Sequence, residues 1–210
     1  MNPRLRPADY AVWQRGPRGE AKSVPEGAAV SHTPEHAIRE WLDRPGLKGS
    51  EGRLVPFRVL ADTIRLVKKR GAPQRQLWYV TCNADGGSTG TEQWQWTVLV
   101  SHEDPDRWNV LAVAGGGGVG DLPARGFPWA NLGGNWGDDG FRAGGTVEDA
   151  GKGVSRVRLT DAQGRTFEDT VDDGVVLFLS EEPVAMPMRV DLLDAAGRSV
   201  ATDESGFVDL

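Results

Sequence analysis

The clearest helical period in this chain lies between Thr33 and Asp43, where the apolar residues are Ala37, Ile38, Trp41 and Leu42. That spacing of i, i+1, i+4, i+5 places them on one helix face. Thr33 is placed to cap the N-terminus, Pro34 takes the first helical position and Glu35 the first turn. His36 stands where a capping box would carry Glu or Gln. Pro45-Gly46 ends the segment. A helix of about ten residues is marginal alone, so it has to be held by packing on a sheet.

From residue 53 to 114 the pattern is extended. Leu54-Val55 and Phe57 to Val59 read as one short strand or the lead-in to a longer one. Thr63 to Lys69 also fits a helical face through Leu60, Ile64 and Val67. Its β-branched residues and the tip Lys69-Arg70-Gly71-Ala72-Pro73 favour a strand and hairpin. Strands follow at Gln76 to Cys82, Gln93 to Ser101 and Arg107 to Ala114, separated by the glycine-rich loop after Asp85 and a turn at Glu103-Asp104-Pro105-Asp106. One helix on an antiparallel meander is an α+β unit.

The last third contains a short sequence written twice. Val157-Arg158-Leu159-Thr160-Asp161-Ala162-Gln163-Gly164-Arg165 recurs as Val190-Asp191-Leu192-Leu193-Asp194-Ala195-Ala196-Gly197-Arg198. Each copy of V-x-L-x-D-A-x-G-R is a strand running into a turn that Asp caps and Gly closes. Strands are expected near 154–160, 165–171, 175–180, 188–193 and 198–202, with another near 207–210, which is the rhythm of a small β-sandwich.

The predicted organisation is an irregular arm over 1–32, an α+β domain over 33–114, a connecting loop over 115–145 and a β-sandwich-like domain over 146–210. The fold class is α+β and β-dominated. The arm holds Pro3, Pro7, Pro17 and Pro25, with Tyr10, Val12 and Trp13 to anchor it. The connecting stretch interleaves glycines with Phe127, Trp129, Leu132, Trp136 and Phe141. So many rings predict an ordered loop plugged onto a surface.

Composition narrows the function. The 210 residues carry 28 Gly and 8 Trp and a net charge of −6. An acidic protein repels phosphate backbones, so no nucleic-acid partner is expected. The basic run Arg65, Lys68, Lys69, Arg70 and Arg75 reads as a solvated hairpin tip. Cys82 is the single cysteine, so no intrachain disulfide forms. There is no run of 18 apolar residues, and Met1 to Pro7 lacks the apolar stretch of a leader. The expectation is a cytoplasmic protein without a membrane partner.

Chemical motifs are sparse. Gly115, Gly117 and Gly120 satisfy G-x-G-x-x-G, but Asp121-Leu122-Pro123-Ala124-Arg125-Gly126-Phe127-Pro128 cannot form the helix that a dinucleotide site needs. No cofactor is predicted. His32 and His36 straddle Pro34, and Asp138-Asp139 and Asp172-Asp173 are turn carboxylates, so no metal is predicted. Cys82 reads as a partly buried strand residue, and no hydrolase nucleophile motif is present.

The tryptophans are the strongest functional hint. Trp94 and Trp96 share one strand face and are expected in the core. Phe127, Trp129, Trp136 and Phe141 are the candidate binding residues, offered to a protein partner by the glycine-rich loop. The main expectation is a non-catalytic interaction protein. The alternative is a small-ligand protein or enzyme with a pocket lined by Trp41, Trp78, Trp94 or Trp96 beside a buried carboxylate such as Asp62 or Glu92. A further alternative is carbohydrate binding.

Two resemblances bear on the fold. The repeated hairpin around Asp173-Gly174-Val175-Val176-Leu177-Phe178-Leu179 is similar to the C-terminal β-domain of uncharacterised high-GC actinobacterial proteins. The Thr33-Pro34-Glu35 helix with strands ending at Trp108-Asn109-Val110 resembles cystatin/NTF2-like folds, although this chain shows one helix before its sheet where that pattern has more. Neither resemblance implies a catalytic residue, and fold likeness alone does not assign function.

Overall fold

The structure, a computed structural model, describes residues 33–43, 47–48, 54–55, 58–85, 90–104, 107–117, 126–137 and 140–207. The elements in chain order are α1 (Pro34–Leu42), β1 (Leu47–Lys48), β2 (Leu54–Val55), β3 (Arg58–Val59), β4 (Arg65–Ala72), β5 (Arg75–Asp85), β6 (Thr91–Asp104) and β7 (Arg107–Gly117). They continue as β8 (Trp129–Gly137), β9 (Gly140–Glu148), β10 (Val154–Thr160), β11 (Thr166–Thr170), β12 (Val175–Ser180), β13 (Met188–Asp194) and β14 (Ser199–Phe207). This is the expected β-dominated α+β fold. The predicted arm over 1–32 lies outside the described residues, as do residues 208–210 of the strand expected near 207–210, whose Phe207 ends β14.

α1 begins as its sequence dictates. The Thr33 hydroxyl accepts the His36 N–H at 3.1 Å, and Pro34 opens the first turn. Ala37, Ile38 and Leu42 are buried against the first sheet. That sheet is an antiparallel meander in which β5, β6 and β7 pair in sequence. β3 and β4 lie end to end along the outer edge of β5, joined through a single helical turn at Ala61–Thr63. The face of β5 and β6 under α1 carries Trp78, Val80, Cys82, Ala84, Trp96, Val98 and Val100. Trp41 meets Trp96 edge-on at 6.0 Å, and Trp94 stacks on Trp96 at 5.3 Å.

The opposite face of the same strands is also buried. Leu77, Tyr79 and Leu99 pack against Val175 and Leu177 of β12. β12 belongs to a second sheet in the order β12-β9-β8. Its alternate residues, Val176 and Phe178, face the other way into a core with Val157, Leu159, Met188, Val190 and Leu192. Those last residues come from a third sheet, β11-β10-β13-β14. Among the described residues, α1 and these three antiparallel sheets stack as four layers, and β1 and β2 pair separately as a two-stranded sheet. The sheet edges coincide, because β4 touches β12 on one side, while β7 touches β8 and β8 touches β14 on the other.

The third sheet explains the repeat. β10 pairs antiparallel with β13, matching Val157 to Leu192 and Leu159 to Val190. The two copies thus meet head to tail, each Val opposite the other copy's Leu, and β11 and β14 complete two equivalent hairpins. Their turns are superimposable in bonding. Asp161 Oδ1 accepts the N–H groups of Gln163 and Arg165, both at 2.9 Å, and its Oδ2 accepts Arg165 Nε at 2.8 Å. Asp194 Oδ1 likewise accepts Ala196 and Arg198 N–H, both at 2.9 Å, and its Oδ2 accepts Arg198 Nε at 2.9 Å. Gly164 and Gly197 take φ of 82° and 80°, which closes each turn.

The described part of the stretch 115–145 is a correction to the expected connecting loop. Gly115 to Gly117 continue β7 against Trp94 to Trp96, and Trp129–Gly137 pairs with Gly140–Glu148 as the β8–β9 hairpin. The sandwich around Val157 and Phe178 includes this hairpin, so its strands begin well before residue 146. Small residues are needed where layers close on each other. A Cβ on Gly144 would stand 2.5 Å from Leu177 Cδ2 and 2.9 Å from Thr97 Cγ2 of β6. The glycines that looked like a loop signal let a strand lie close between two sheets.

The Asp161 turn sets a pH dependence. The Asp161 carboxylate is fully buried. Burial works to raise its pKa, but hydrogen bonds from the Arg165 N–H and guanidinium, Ala185 N–H and Gln163 N–H outweigh that and hold it below the ordinary carboxylate value. A lowered folded-state pKa gives stability that is present above the unfolded value and lost as pH falls through the folded value. Asp161→Asn is expected to cost about 2 kcal/mol at pH 7. The gap to the parent should shrink as pH drops below about 4. Denaturant unfolding of both proteins across pH 2.5–7 checks this, and a gap independent of pH would contradict it.

Candidate functional site

The four predicted binding residues do not form one patch. Phe141 is 1% exposed and belongs to the sandwich core, where its ring meets Phe167 at 5.8 Å. Trp136 lies opposite Phe141 in the β8–β9 register and packs on the same core with Ala130 and Leu132. Trp129 has the opposite parity along β8 and so projects from the other face of the strand. It is half-buried, and its indole N–H donates to the Glu148 carboxylate, its cross-strand partner. Phe127 precedes β8 and is 55% exposed. Phe141 is thus corrected from contact residue to core residue, Trp136 packs beside it, and Phe127 and Trp129 remain at the start of β8.

A second exposed ring-sized apolar group was not legible in the sequence. Leu111 is 45% exposed on β7. In the β6–β7 register Leu99 pairs with Ala112 and Val100 with Val110, which leaves Leu111 as the extra residue of a β-bulge. Nothing in the apolar alternation marks the bulge, because Val110 to Ala114 reads as an unbroken strand. Leu111 and Phe127 both fall on the side of the stack where β7 and β8 are the edges.

The other side is closed by charge, and here the reading of the basic run is corrected. Lys68 and Arg70 are not a solvated tip; they reach from β4 to β11 and β12. Asp169 receives Lys68 Nζ at 2.7 Å and Arg70 Nη1 at 2.7 Å, and it also accepts the Leu177 N–H at 2.8 Å. Lys68 donates to the carbonyls of Val175, at 3.2 Å, and Thr170, while Arg70 donates to those of Glu168 and Leu177, each at 3.2 Å. Asp172 pairs with Lys68 at 2.8 Å. Edge carbonyls of β11 and β12 are therefore satisfied by side chains of the first sheet, and the edge N–H of Leu177 by Asp169 of β11. Inward-pointing charge of this kind blocks strand addition at a sheet edge.

The residues named for a tryptophan pocket belong to one core cluster. Trp78 and Trp96 are buried in it with Ile38 and Leu42 of α1, and Trp41 and Trp94 pack against it partly buried. Asp62 is exposed and Glu92 half-buried, so neither is the buried carboxylate the pocket required. Cys82 is 2% exposed, deeper than expected. Burial pushes its thiol pKa up, partly offset by a hydrogen bond with Trp96, and such a thiol is a weak nucleophile. Tyr79 is likewise pushed up by burial, and its hydroxyl bonds Gln95.

Among the described residues no three His, Cys, Asp or Glu side chains converge to hold a metal ion. No helix among the described residues is long and apolar enough to cross a membrane. The chain matches no protein-family model, no curated protein and no solved structure.

The different placements of the aromatic residues predict different costs of truncation. Phe141→Ala should lower unfolding free energy by about 3–5 kcal/mol, because a large buried ring leaves a cavity. Phe127→Ala should stay within about 0.5 kcal/mol of the parent. Guanidinium unfolding of the two variants separates these outcomes, and equal losses would contradict the placement.

Proposed function

We propose that this chain is a non-catalytic interaction module that contacts a protein partner along the β7–β8 side of its stack. The observation that carries this reading is the position of Leu111 and Phe127. Both large apolar side chains are exposed, and both lie on the same side of three aligned sheets. Exposed apolar groups gathered on one side mark a contact surface. Edge strands add backbone donors and acceptors for an extended partner segment. The opposite side, capped by Lys68, Arg70 and Asp169, offers no comparable edge. Trp129, at the start of β8, is the adjoining aromatic anchor, a residue type common in interface hot spots.

Capture of a partner from native lysate, followed by titration of the purified partner, tests the reading. Leu111→Asp and Phe127→Asp should each weaken binding tenfold or more while the melting temperature stays unchanged. Glu182→Lys, an exposed change near the charged edge, should leave binding intact. Binding that survives both aspartate variants would refute the β7–β8 side as the contact surface.

A further inference from the structure

Lys68 of β4 carries its ammonium group into a cluster formed by β11, β12 and the turn between them. Nζ stands 2.7 Å from Asp169 Oδ2, 2.8 Å from Asp172 Oδ2 and 3.2 Å from the Val175 carbonyl, and it also donates to the Thr170 carbonyl. These oxygens occupy all the N–H groups of the ammonium and fix the nitrogen in place. The Lys68 and Asp169 side chains are 11% and 12% exposed. They bond main-chain groups of Val175 and Leu177, both of which are buried.

The choice of lysine matters. Asp161, Glu168 and Asp191 are each held by arginine. A guanidinium stays protonated, whereas a lysine amine can give up a proton and attack a carbonyl carbon. Asp172 touches the same nitrogen and is 62% exposed, so it can take a proton from the amine and exchange it with solvent. On the acceptor, Arg70 Nη1 donates to Asp169 Oδ1 at 2.7 Å and the Leu177 N–H donates to Oδ2 at 2.8 Å. Both carboxyl oxygens therefore have donors in place for the negative charge of a tetrahedral intermediate. The same donors hold Asp169 as a carboxylate in the resting ion pair, so reaction has to begin with a proton transfer.

We propose that Lys68 and Asp169 condense to an intramolecular isopeptide bond. One ammonium proton passes to the Asp169 carboxylate along the 2.7 Å contact and turns the ion pair into an amine and an acid. Nζ then bonds to Cγ while Asp172 accepts a second proton from the nitrogen. One Cγ–O bond breaks, and the oxygen leaves with both protons as water. Nothing is oxidised or reduced, and no co-reactant is consumed. Holding the two groups in contact supplies the effective concentration that a free amine and acid lack. The bond ties β4 of the first sheet to β11 of the third. It lies on the side of the stack away from β7 and β8, so it stands or falls independently of the contact surface there.

Mass spectrometry of the purified full chain under denaturing conditions tests the assignment. The parent should be lighter than its sequence by one water, about 18 Da. Trypsin does not cut after an acylated lysine, so the digest should contain residues 66–69 joined to residues 166–189. Lys68→Arg and Asp169→Ala should show their full sequence masses. Asp172→Ala should form the bond at least tenfold more slowly, followed as the growth of the lighter species after purification. A parent of full mass that still unfolds cooperatively on heating would overturn the proposal. So would a water loss that persists in Lys68→Arg, and bond formation at the parental rate in Asp172→Ala would remove Asp172 from the proton transfer.

Discussion

The structure depends on burying β12 from both faces. Val175 to Phe178 are each 3% exposed or less, with Val175 and Leu177 against the first sheet and Val176 and Phe178 against the third. β5 is its counterpart, with Leu77 and Tyr79 facing β12 and Trp78 and Val80 facing α1. Each fully buried apolar side chain of this size contributes roughly 1.5–3 kcal/mol. A strand with two apolar faces has nowhere to sit except between two layers. The four-layer order follows from that requirement.

Stacking three sheets in register leaves two long sides of strand edges, and the chain treats them differently. On one side Lys68, Arg70 and Asp169 bond to edge groups of β11 and β12. Lys68 and Asp169 are only 11% and 12% exposed, so their charges have given up much of their hydration. Such a pair is tolerated where every remaining donor and acceptor is occupied, and here backbone groups do the occupying. On the other side β7 carries a bulge and exposed Leu111, and β8 is preceded by exposed Phe127. One long side of the stack is thus capped by charge, and the other carries exposed apolar side chains.

Much of this architecture was legible in the residues. The α1 face, the cap at Thr33, the strands around Gln93–Ser101 and Val175–Ser180, and both Asp-Gly-Arg turns follow from period, propensity and turn chemistry. The glycine-rich stretch misled because glycine signals both turns and close packing. Only the distance from Gly144 to Leu177 and Thr97 tells which applies. The basic run misled because a charge pattern does not show what lies across from it, and Asp169 is about one hundred residues away in sequence. Phe141 looked like a loop ring because nothing in its neighbourhood reveals that the β8–β9 hairpin closes a core. The continuous apolar runs Leu77–Val80 and Val175–Phe178, without alternation, were the readable sign of burial on two faces.

Native-state hydrogen exchange on the parent and on Leu177→Ala addresses the stack directly. Leu177 of β12 packs against Leu77 and Tyr79 of β5, and its truncation should remove about 2–5 kcal/mol. If the layers form one cooperative unit, amides of β5 and β6 should lose protection by the same amount as those of β9, β12 and β13. Loss confined to β8 through β14, with α1, β5 and β6 protected as in the parent, would contradict a fold built around one doubly buried strand.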